Sequence, residues 1–144
     1  MRIKSKKPKL SIGMPVYNGA KTLKKAINSI LAQTFQDFEL IISDNASNDE
    51  TETICQKFAS KDPRIHYIRQ IKNIGAHANF NFLISKATEK YFMWAAADDW
   101  RSPDFLEVNI SALESNVNFV ASTSPNCFEG EEDKNHSYIN FSLT

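Results

Sequence analysis

Short apolar runs alternate with stretches of helical periodicity along this chain, and this alternation restricts the possible folds more than any other feature. Runs of strand length lie at residues 10–16, 38–43, 65–69, 91–96 and 119–122. Between them, apolar side chains recur every three or four residues over 20–34, 48–59 and 76–88, and again after residue 102. Strands that alternate with helices predict an α/β fold, with a mostly parallel sheet and helices on both of its faces.

Local signals predict where some of these elements begin or end. Pro15 has no backbone N–H group to donate within a sheet, so the first strand is expected to end beside it. Ser47 stands three residues before Glu50, which is the spacing of a capping box at the start of a helix. Ser102 and Pro103 together predict another helix start, with serine as the cap and proline in the first turn.

The bulk composition limits the classes of function. The chain has 144 residues, of which 42% are hydrophobic and 24% charged, as is typical of a folded globular domain. The 17 basic and 17 acidic residues cancel to a net charge of zero, which argues against a nucleic acid partner. No apolar run approaches the roughly 20 residues of a membrane span. Cys55 and Cys127 have no metal-type spacing, and we expect two reduced thiols in the core.

The beginning of the chain is basic. Arg2, Lys4, Lys6, Lys7 and Lys9 lie there without the apolar stretch of a signal peptide, so a cytoplasmic location is expected. We interpret residues 1–8 as a solvated basic tail. Peripheral association with the anionic inner face of a membrane is the alternative.

Two further regions follow the basic tail. Residues 9–124 are expected to form the principal domain. Residues 125–144 become polar and acidic and are interpreted as the start of a separate, incomplete region.

Polar residues follow four of the predicted strands. The carboxyl ends of parallel strands lie at one edge of the sheet, where α/β proteins bind ligands, so these residues are candidates for one common site. They are Tyr17 and Asn18, Asp44 and Asn45, Asn73 and Gly75, and Asp98 and Asp99.

The adjacent carboxylates Asp98 and Asp99 directly follow the apolar residues 91–97. Two like charges at the rim of a buried strand repel each other unless a cation lies between them. Mg²⁺ and Mn²⁺ prefer oxygen ligands and commonly bridge protein carboxylates to phosphates. The pair is therefore a candidate metal site, and a solvent-exposed pair in a turn is the alternative.

Two of the other three strand ends carry weaker signals. Asp44 and Asn45 suit either an Asx turn or hydrogen bonding to the edge of a pyrimidine base. Gly75 permits close approach of a backbone at a helix N-terminus that could bind phosphate, and an ordinary loop is the alternative. A single glycine makes neither a P-loop nor a dinucleotide fingerprint.

Taken in order, these motifs resemble those of the family 2 glycosyltransferases over residues 9–113. Residues 11–18 are similar to that family's first strand, which ends in Pro-x-Tyr-Asn. The other matching segments are Ser-Ile-Leu-Ala-Gln-Thr-Phe at 29–35, Asp-Asn-Ala-Ser at 44–47, Asn-x-Gly at 73–75, and Tyr-Phe-x-Trp-Ala-Ala-x-Asp-Asp at 91–99. The last of these is similar to a bacterial subgroup of the family.

The resemblance implies a Rossmann-like nucleotide-binding domain of the GT-A fold and a function in the synthesis of bacterial cell-surface polysaccharide. It implies transfer of a sugar, with inversion, from a nucleoside-diphosphate sugar to a hydroxyl of a saccharide or lipid-linked acceptor. It further implies Mn²⁺ or Mg²⁺ at Asp99, with Asp98 in support. The residues expected to hold the nucleotide are Pro15, Tyr17, Asn18, Asp44, Asn45, Asn73, Gly75 and Asp98.

The sequence departs from the family pattern at two positions. Ala96 stands where the family often has the first aspartate of Asp-x-Asp-Asp. Asn45 replaces the second aspartate at the base-binding position, so UDP, CDP, dTDP and GDP donors all remain open.

No residue can be assigned as the catalytic base. The resemblance implies that residues 125–144 are the start of an incomplete acceptor-side region. We expect the base beyond Thr144 and expect this chain alone to transfer no sugar at a useful rate. A truncated, non-catalytic nucleotide-binding module and a nucleotidyltransferase are the alternative interpretations.

Overall fold

The computed structural model describes residues 7–123 and 139–142. The basic tail up to residue 6 and the acidic segment 124–138 lie outside the described residues. The elements in chain order are β1 (Leu10–Val16), α1 (Leu23–Leu31), β2 (Phe38–Asp44), α2 (Thr51–Ala59), β3 (Ile65–Arg69), α3 (Ala76–Lys86), β4 (Tyr91–Trp94), α4 (Phe105–Ser115), β5 (Phe119–Thr123) and β6 (Ile139–Ser142). They belong to two compact units, one of residues 1–31 and 36–101 and one of residues 32–35 and 102–144.

The first unit contains a four-stranded sheet in the order β3-β2-β1-β4. Every pair of neighbouring strands is parallel, and Val16 at the end of β1 lies opposite Asp44 at the end of β2. The predicted parallel α/β sheet flanked by helices is thus confirmed. Because all four strands point the same way, the residues that follow them lie along one edge of the sheet.

The core lies around β1 and β2. Ile12, Met14, Leu40 and Ile42 have no exposed surface, which accounts for the near-continuous apolar character of these two strands. Helix α3 contacts both β1 and β2, and α2 contacts β2 and β3. A Cβ atom at Gly13 would lie about 3.0 Å from the Phe92 side chain in β4 and about 3.1 Å from the Leu83 side chain in α3, so neighbouring elements pack tightly at this glycine.

The helix starts differ from the predicted ones because distant contacts replace local caps. The capping box at residues 47–50 does not form, since α2 begins at Thr51 with Glu50 as its N-cap and no side-chain cap bond. The Ser47 hydroxyl instead accepts a hydrogen bond from the Asn18 N–H group, at 2.8 Å. Helix α1 covers only nine residues, Leu23–Leu31, instead of the predicted 20–34.

The second unit shows the same effect at α4. Ser102 and Pro103 precede the helix, which begins at Phe105 with Asp104 as its N-cap. The buried Gln33 side chain accepts a hydrogen bond from the Leu106 N–H group at 2.9 Å and so satisfies a free donor of the first turn. The prediction of serine as the cap was therefore wrong.

The rest of the second unit consists of α4 packed on β5, which pairs with β6 in antiparallel orientation. Ser122 of β5 donates a hydrogen bond to Asn109 of α4, at 2.8 Å. Sequence patterning predicted β5 but not β6. Among residues 7–123 and 139–142, no helix has the length and apolar character needed to cross a membrane.

We expect Cys55 to be unreactive in the folded chain. Cys55 lies fully buried in α2, and burial followed by nearby negative charges raises the pKa of its thiol to about 12. Because the thiolate is the reactive form, the buried thiol remains protonated at pH 8. In a Cys127→Ser chain, a disulfide reagent should label Cys55 only after guanidinium is added. Rapid labelling of the folded chain would contradict this expectation.

Candidate functional site

A cavity of about 180 Å³ opens at the carboxyl edge of the sheet. Its lining residues come from the ends of β1 and β2 and from the start of α3 and the loop before it: Pro15, Val16, Tyr17, Asn45, Asn73, Ala76, Asn79 and Phe80. Four of the residues selected from sequence, namely Pro15, Tyr17, Asn45 and Asn73, thus lie together. The volume is below the roughly 300–1,000 Å³ of pockets for drug-sized ligands, so the cavity suits one ring of a larger ligand.

The loops that follow β1 and β2 are joined by hydrogen bonds between backbone and side chain. The Asn18 N–H group donates to the Ser47 hydroxyl at 2.8 Å, and the Asn48 N–H group donates to the Asn18 side-chain oxygen at 2.9 Å. The Gly19 N–H group donates to the Thr51 hydroxyl at 3.0 Å. These bonds hold together the two loops that form the rim of the cavity, residues 17–19 and 45–51. The Asn18 side-chain oxygen is used in one of them.

Asp44 lies behind this rim, where it is fully buried and outside the cavity lining. One carboxylate oxygen accepts hydrogen bonds from the Tyr67 hydroxyl at 2.8 Å and from Arg69 at 3.2 Å, and the other accepts the Ser47 N–H group at 2.9 Å. Arg69 also donates to the Ser47 carbonyl oxygen and forms an ion pair with Glu52. Through these hydrogen bonds, Asp44 stabilises the turn that contains Asn45.

The buried environment and the Asp44 carboxylate change the pKa of Tyr67. Burial, together with the hydrogen bond to Asp44 and its charge, raises the pKa of the Tyr67 hydroxyl above its ordinary value. The hydroxyl therefore stays protonated and donates to the carboxylate across the range in which proteins are normally studied. Sequence reasoning missed both Tyr67 and Arg69, because polar residues in a short strand look like an exposed strand face.

Asn45 links the end of β2 to the loop before α3. Its side-chain oxygen accepts the Ile74 N–H group at 2.8 Å, and its side-chain nitrogen donates to the Asn73 oxygen at 3.0 Å. The Asn73 oxygen also accepts the Gly75 N–H group at 2.8 Å. Gly75 has a φ of 84° and open space where a side chain would begin, so its backbone is accessible at the N-terminus of α3.

Asn79 and Phe80 line the cavity from α3, and neither was selected from sequence. Asn79 is buried, receives a hydrogen bond from the Ser43 hydroxyl at 2.6 Å and donates to the Ser43 carbonyl oxygen at 2.9 Å. Phe80 is 41% exposed and lies 6.1 Å from Trp94, ring centre to ring centre. Ile84, one turn further along α3, is 45% exposed, whereas Leu83 beside it is fully buried.

Asp98 and Asp99 lie in an exposed turn after β4. Asp99 forms an ion pair with Arg101 at 3.6 Å, but its side chain is 57% exposed, so water screens the attraction. A Cβ atom at Gly19 would lie 3.7 Å from Ala97, which brings the acidic turn beside the loop after β1.

The donor chemistry of this turn suits a hard divalent cation, because carboxylate oxygens are its preferred ligands. Within the described part of the chain, however, no group of three or more histidine, cysteine, aspartate or glutamate residues could enclose a metal ion. A cation at Asp98 and Asp99 would therefore need water or ligand oxygens to complete its coordination, as Mg²⁺ commonly does.

Residues 11–143 match the family described as glycosyl transferase family 2. An uncharacterised glycosyltransferase of Rickettsia prowazekii is 40% identical over 74% of this chain and 32% of its own length. The glycosyltransferase GlyA of Streptococcus pneumoniae is 33% identical over 69% of this chain and 14% of its own length. The putative glycosyltransferase EpsE of Bacillus subtilis is 35% identical over 78% of this chain and 41% of its own length. The chain thus spans well under half the length of each of these relatives.

Solved structures share the fold. TarS of S. aureus, solved also with UDP-GlcNAc, superposes with a TM-score of 0.69 at 24% identity over 74% of this chain and 31% of that one. The mannosyltransferase PcManGT of Pyrobaculum calidifontis, solved with GDP-Man and Mn²⁺, gives 0.67 at 22% identity over 76% of this chain and 33% of that one. At these identities, the likeness establishes the fold.

Proposed function

The chain belongs to glycosyl transferase family 2, and we propose that it forms the donor-binding part of an enzyme that transfers a sugar from a nucleoside-diphosphate sugar to an acceptor hydroxyl. The observation that carries the proposal is the cavity at the carboxyl edge of the sheet. It brings together Pro15, Tyr17, Asn45 and Asn73, and its volume suits a nucleobase. TarS, of the same fold, has been solved with UDP and with UDP-GlcNAc.

In this proposal the base enters the cavity and its ring contacts the aromatic side chains. Tyr17 and Phe80 are 50% and 41% exposed, and both line the cavity. Stacking of a base on an aromatic ring contributes roughly 1–3 kcal/mol and does not depend on which base is bound. The amides of Asn45 and Asn73 then contact the base edge, while Asn18 and Asp44 hold the rim in position.

The diphosphate would lie between the exposed backbone at Gly75 and the acidic turn. We propose that Asp99, supported by Asp98, holds Mn²⁺ or Mg²⁺, since both carboxylates are exposed at the same edge of the sheet as the cavity. The cation, when bound, neutralises charge on the diphosphate leaving group. The mannosyltransferase of the same fold has been solved with Mn²⁺.

The transfer step is a single displacement with inversion. The acceptor hydroxyl gives its proton to a base and attacks the anomeric carbon opposite the diphosphate. The new C–O bond forms as the bond to the diphosphate oxygen breaks, and the nucleoside diphosphate leaves. The described residues of this chain supply the donor side of the reaction. The acceptor is proposed to be a saccharide or lipid-linked saccharide of a bacterial surface polysaccharide, in keeping with the subgroup that the sequence resembles.

We expect metal-dependent stabilisation of the chain by at least one nucleoside diphosphate. Melting temperatures would be measured with UDP, CDP, dTDP and GDP, each with Mn²⁺ and with a chelator. A ligand at 100 times its Kd stabilises a fold by about 2.7 kcal/mol, which corresponds to a rise on the order of 5–10 °C for a domain of this size.

Tyr17→Ala should reduce that rise, because it removes one stacking surface of the cavity. Ile71→Ala truncates a large apolar residue that is fully exposed and lies outside the lining, and it should leave the rise unchanged. If none of the four nucleotides shifted the melting temperature of the unmodified chain, the proposed function would be wrong.

A further inference from the structure

Arg101 places a positive charge beside the acidic turn. Its guanidinium Nη1 lies 3.6 Å from a carboxylate oxygen of Asp99 and donates to the Trp100 carbonyl oxygen at 3.5 Å. The Arg101 side chain is mostly buried, whereas Asp98 and Asp99 are exposed. An arginine cannot lose its proton in a protein, so this charge is permanent. Because most of the side chain is buried, the charge stays at the turn even when the Asp99 carboxylate binds another group.

The sum of charges at the turn shows what an arginine adds there. Two carboxylates cancel the charge of one divalent cation, so Asp98, Asp99 and Mn²⁺ together would be neutral. A neutral group exerts no net attraction on a diphosphate, which carries several negative charges. With Arg101 the same group has a net positive charge. A guanidinium also presents its N–H groups in a planar fork that matches two phosphate oxygens.

Lys25 is a second cation near this turn. Its ammonium lies 5.3 Å from the centre of the Trp100 ring, within the range of a cation–π interaction. An ammonium in this position is directed to the face of the indole ring. Arg101 instead contacts the carboxylate that is proposed as the metal ligand. We therefore consider Arg101 to be the cation that acts on the ligand.

A divalent cation and Arg101 compete for the Asp99 carboxylate. The carboxylate is exposed, so water weakens its attraction to the guanidinium, and a cation with two charges attracts it more strongly. Once the cation binds, the guanidinium loses its anionic partner. A charge that is partly removed from water is unfavourable without such a partner. A phosphate oxygen of a diphosphate bound to the same cation would replace the carboxylate as that partner.

We propose that Arg101 is a substrate-binding residue, which pairs with Asp99 in the free chain and with the donor diphosphate once a divalent cation occupies Asp99. The inference rests on the proposed function, because it takes Asp98 and Asp99 as the metal site. Negative charge increases on the diphosphate as its bond to the sugar breaks. A guanidinium that already contacts the diphosphate stabilises this charge without rearrangement.

Arg101→Gln should change two affinities in opposite directions. It removes the competing guanidinium, so Mn²⁺ alone should bind roughly two- to fivefold more tightly. It also removes the phosphate contact, so a nucleoside diphosphate should bind roughly tenfold less tightly at saturating Mn²⁺. Titration calorimetry with Mn²⁺, and then with UDP, CDP, dTDP and GDP and the corresponding monophosphates, measures both changes. Monophosphate binding should change less, because the outer phosphate is missing.

Two further variants separate this role from a general effect of charge. Lys61→Gln removes the same charge from an exposed side chain that precedes β3, at the opposite edge of the sheet, and should change neither affinity. Arg101→Lys keeps the positive charge and should restore part of the affinity for the diphosphate.

A second measurement uses the unmodified chain, so the folding of a variant plays no part in it. Phenylglyoxal modifies accessible arginines, and mass mapping of peptides locates the product at Arg101. Mn²⁺ alone should speed this modification, and Mn²⁺ with a nucleoside diphosphate should prevent it, whereas a monophosphate should protect poorly. If the rate at Arg101 were the same in all three conditions, or if Arg101→Gln bound diphosphates like the unmodified chain, the inference would be wrong while the proposed function stood. If no nucleotide bound the unmodified chain, both would be wrong.

Discussion

Replacing Asp44 with alanine is expected to lower the free energy of unfolding by about 3 kcal/mol, the largest loss of stability that we predict for any residue around the site. The carboxylate has no exposed surface, and its removal leaves Tyr67, Arg69 and the Ser47 N–H group without their acceptor. Breaking a buried ion pair costs about 3–5 kcal/mol. We take the lower end because the Arg69 side chain is 36% exposed and can regain some water.

The same arginine offers a matched control. Glu52 is its other acidic partner, at 3.3 Å, but the Glu52 side chain is 42% exposed. Exposed ion pairs contribute at most about 1 kcal/mol, so Glu52→Ala should cost far less than Asp44→Ala. Guanidinium unfolding of the two variants and the unmodified chain gives both differences. Equal losses for the two variants would contradict the role assigned to Asp44.

The loss of the Asp44 carboxylate should also weaken binding in the cavity. Asp44 accepts the Ser47 N–H group across a turn in which Ala46 has a φ of 59°, a conformation that residues other than glycine seldom adopt. The bonds from Asp44 and Arg69 hold this turn against that strain, and the turn carries Asn45 into the cavity. Asp44→Ala is therefore expected to weaken nucleotide binding at temperatures at which the variant is still folded.

Sequence patterning was sufficient for the sheet because burial and periodicity agree there. β1 and β2 are covered on both faces, so their residues are apolar almost without interruption. Local signals were less informative at the helix ends. Ser47 and Gln33 bond to groups 29 and 73 residues away, and no local pattern reveals such partners.

The candidate site shows the same division. Tyr17, Asn45 and Asn73 could be selected in advance, because parallel topology places the ends of strands at one edge. Asn79 could not, since a polar residue one turn into a helix normally faces water, whereas this one is buried against Ser43. The burial of Asp44 could not be predicted either, because its partners Tyr67 and Arg69 lie on β3, the next strand along the chain.

Asp98 and Asp99 are the residues whose replacement should most reduce binding of a nucleoside diphosphate. Both are exposed, and only the pairing of Asp99 with Arg101 is evident among the described residues. The Arg101 side chain is only 19% exposed, but the Asp99 carboxylate is 57% exposed and lies 3.6 Å away, so water screens the attraction and a divalent cation can compete for the carboxylate. Asp99→Asn keeps the shape of the side chain but removes a full negative charge from the proposed ligand.

We expect Asp99→Asn to remove the contribution of Mn²⁺ to nucleotide binding while the melting temperature without ligand changes little. The loss of the Arg101 pair and the relief of repulsion from Asp98 oppose each other, and each is about 1 kcal/mol or less. Asp104→Asn is the matched control, because Asp104 is an exposed acidic residue five positions further along the chain that makes no side-chain cap bond to α4. Calorimetric titration of the preferred nucleoside diphosphate, with Mn²⁺ and with a chelator, measures the metal contribution for each variant. If Asp99→Asn retained the full effect of Mn²⁺, Asp99 would not be the metal ligand, and the exposed pair in a turn would be the correct interpretation of Asp98 and Asp99.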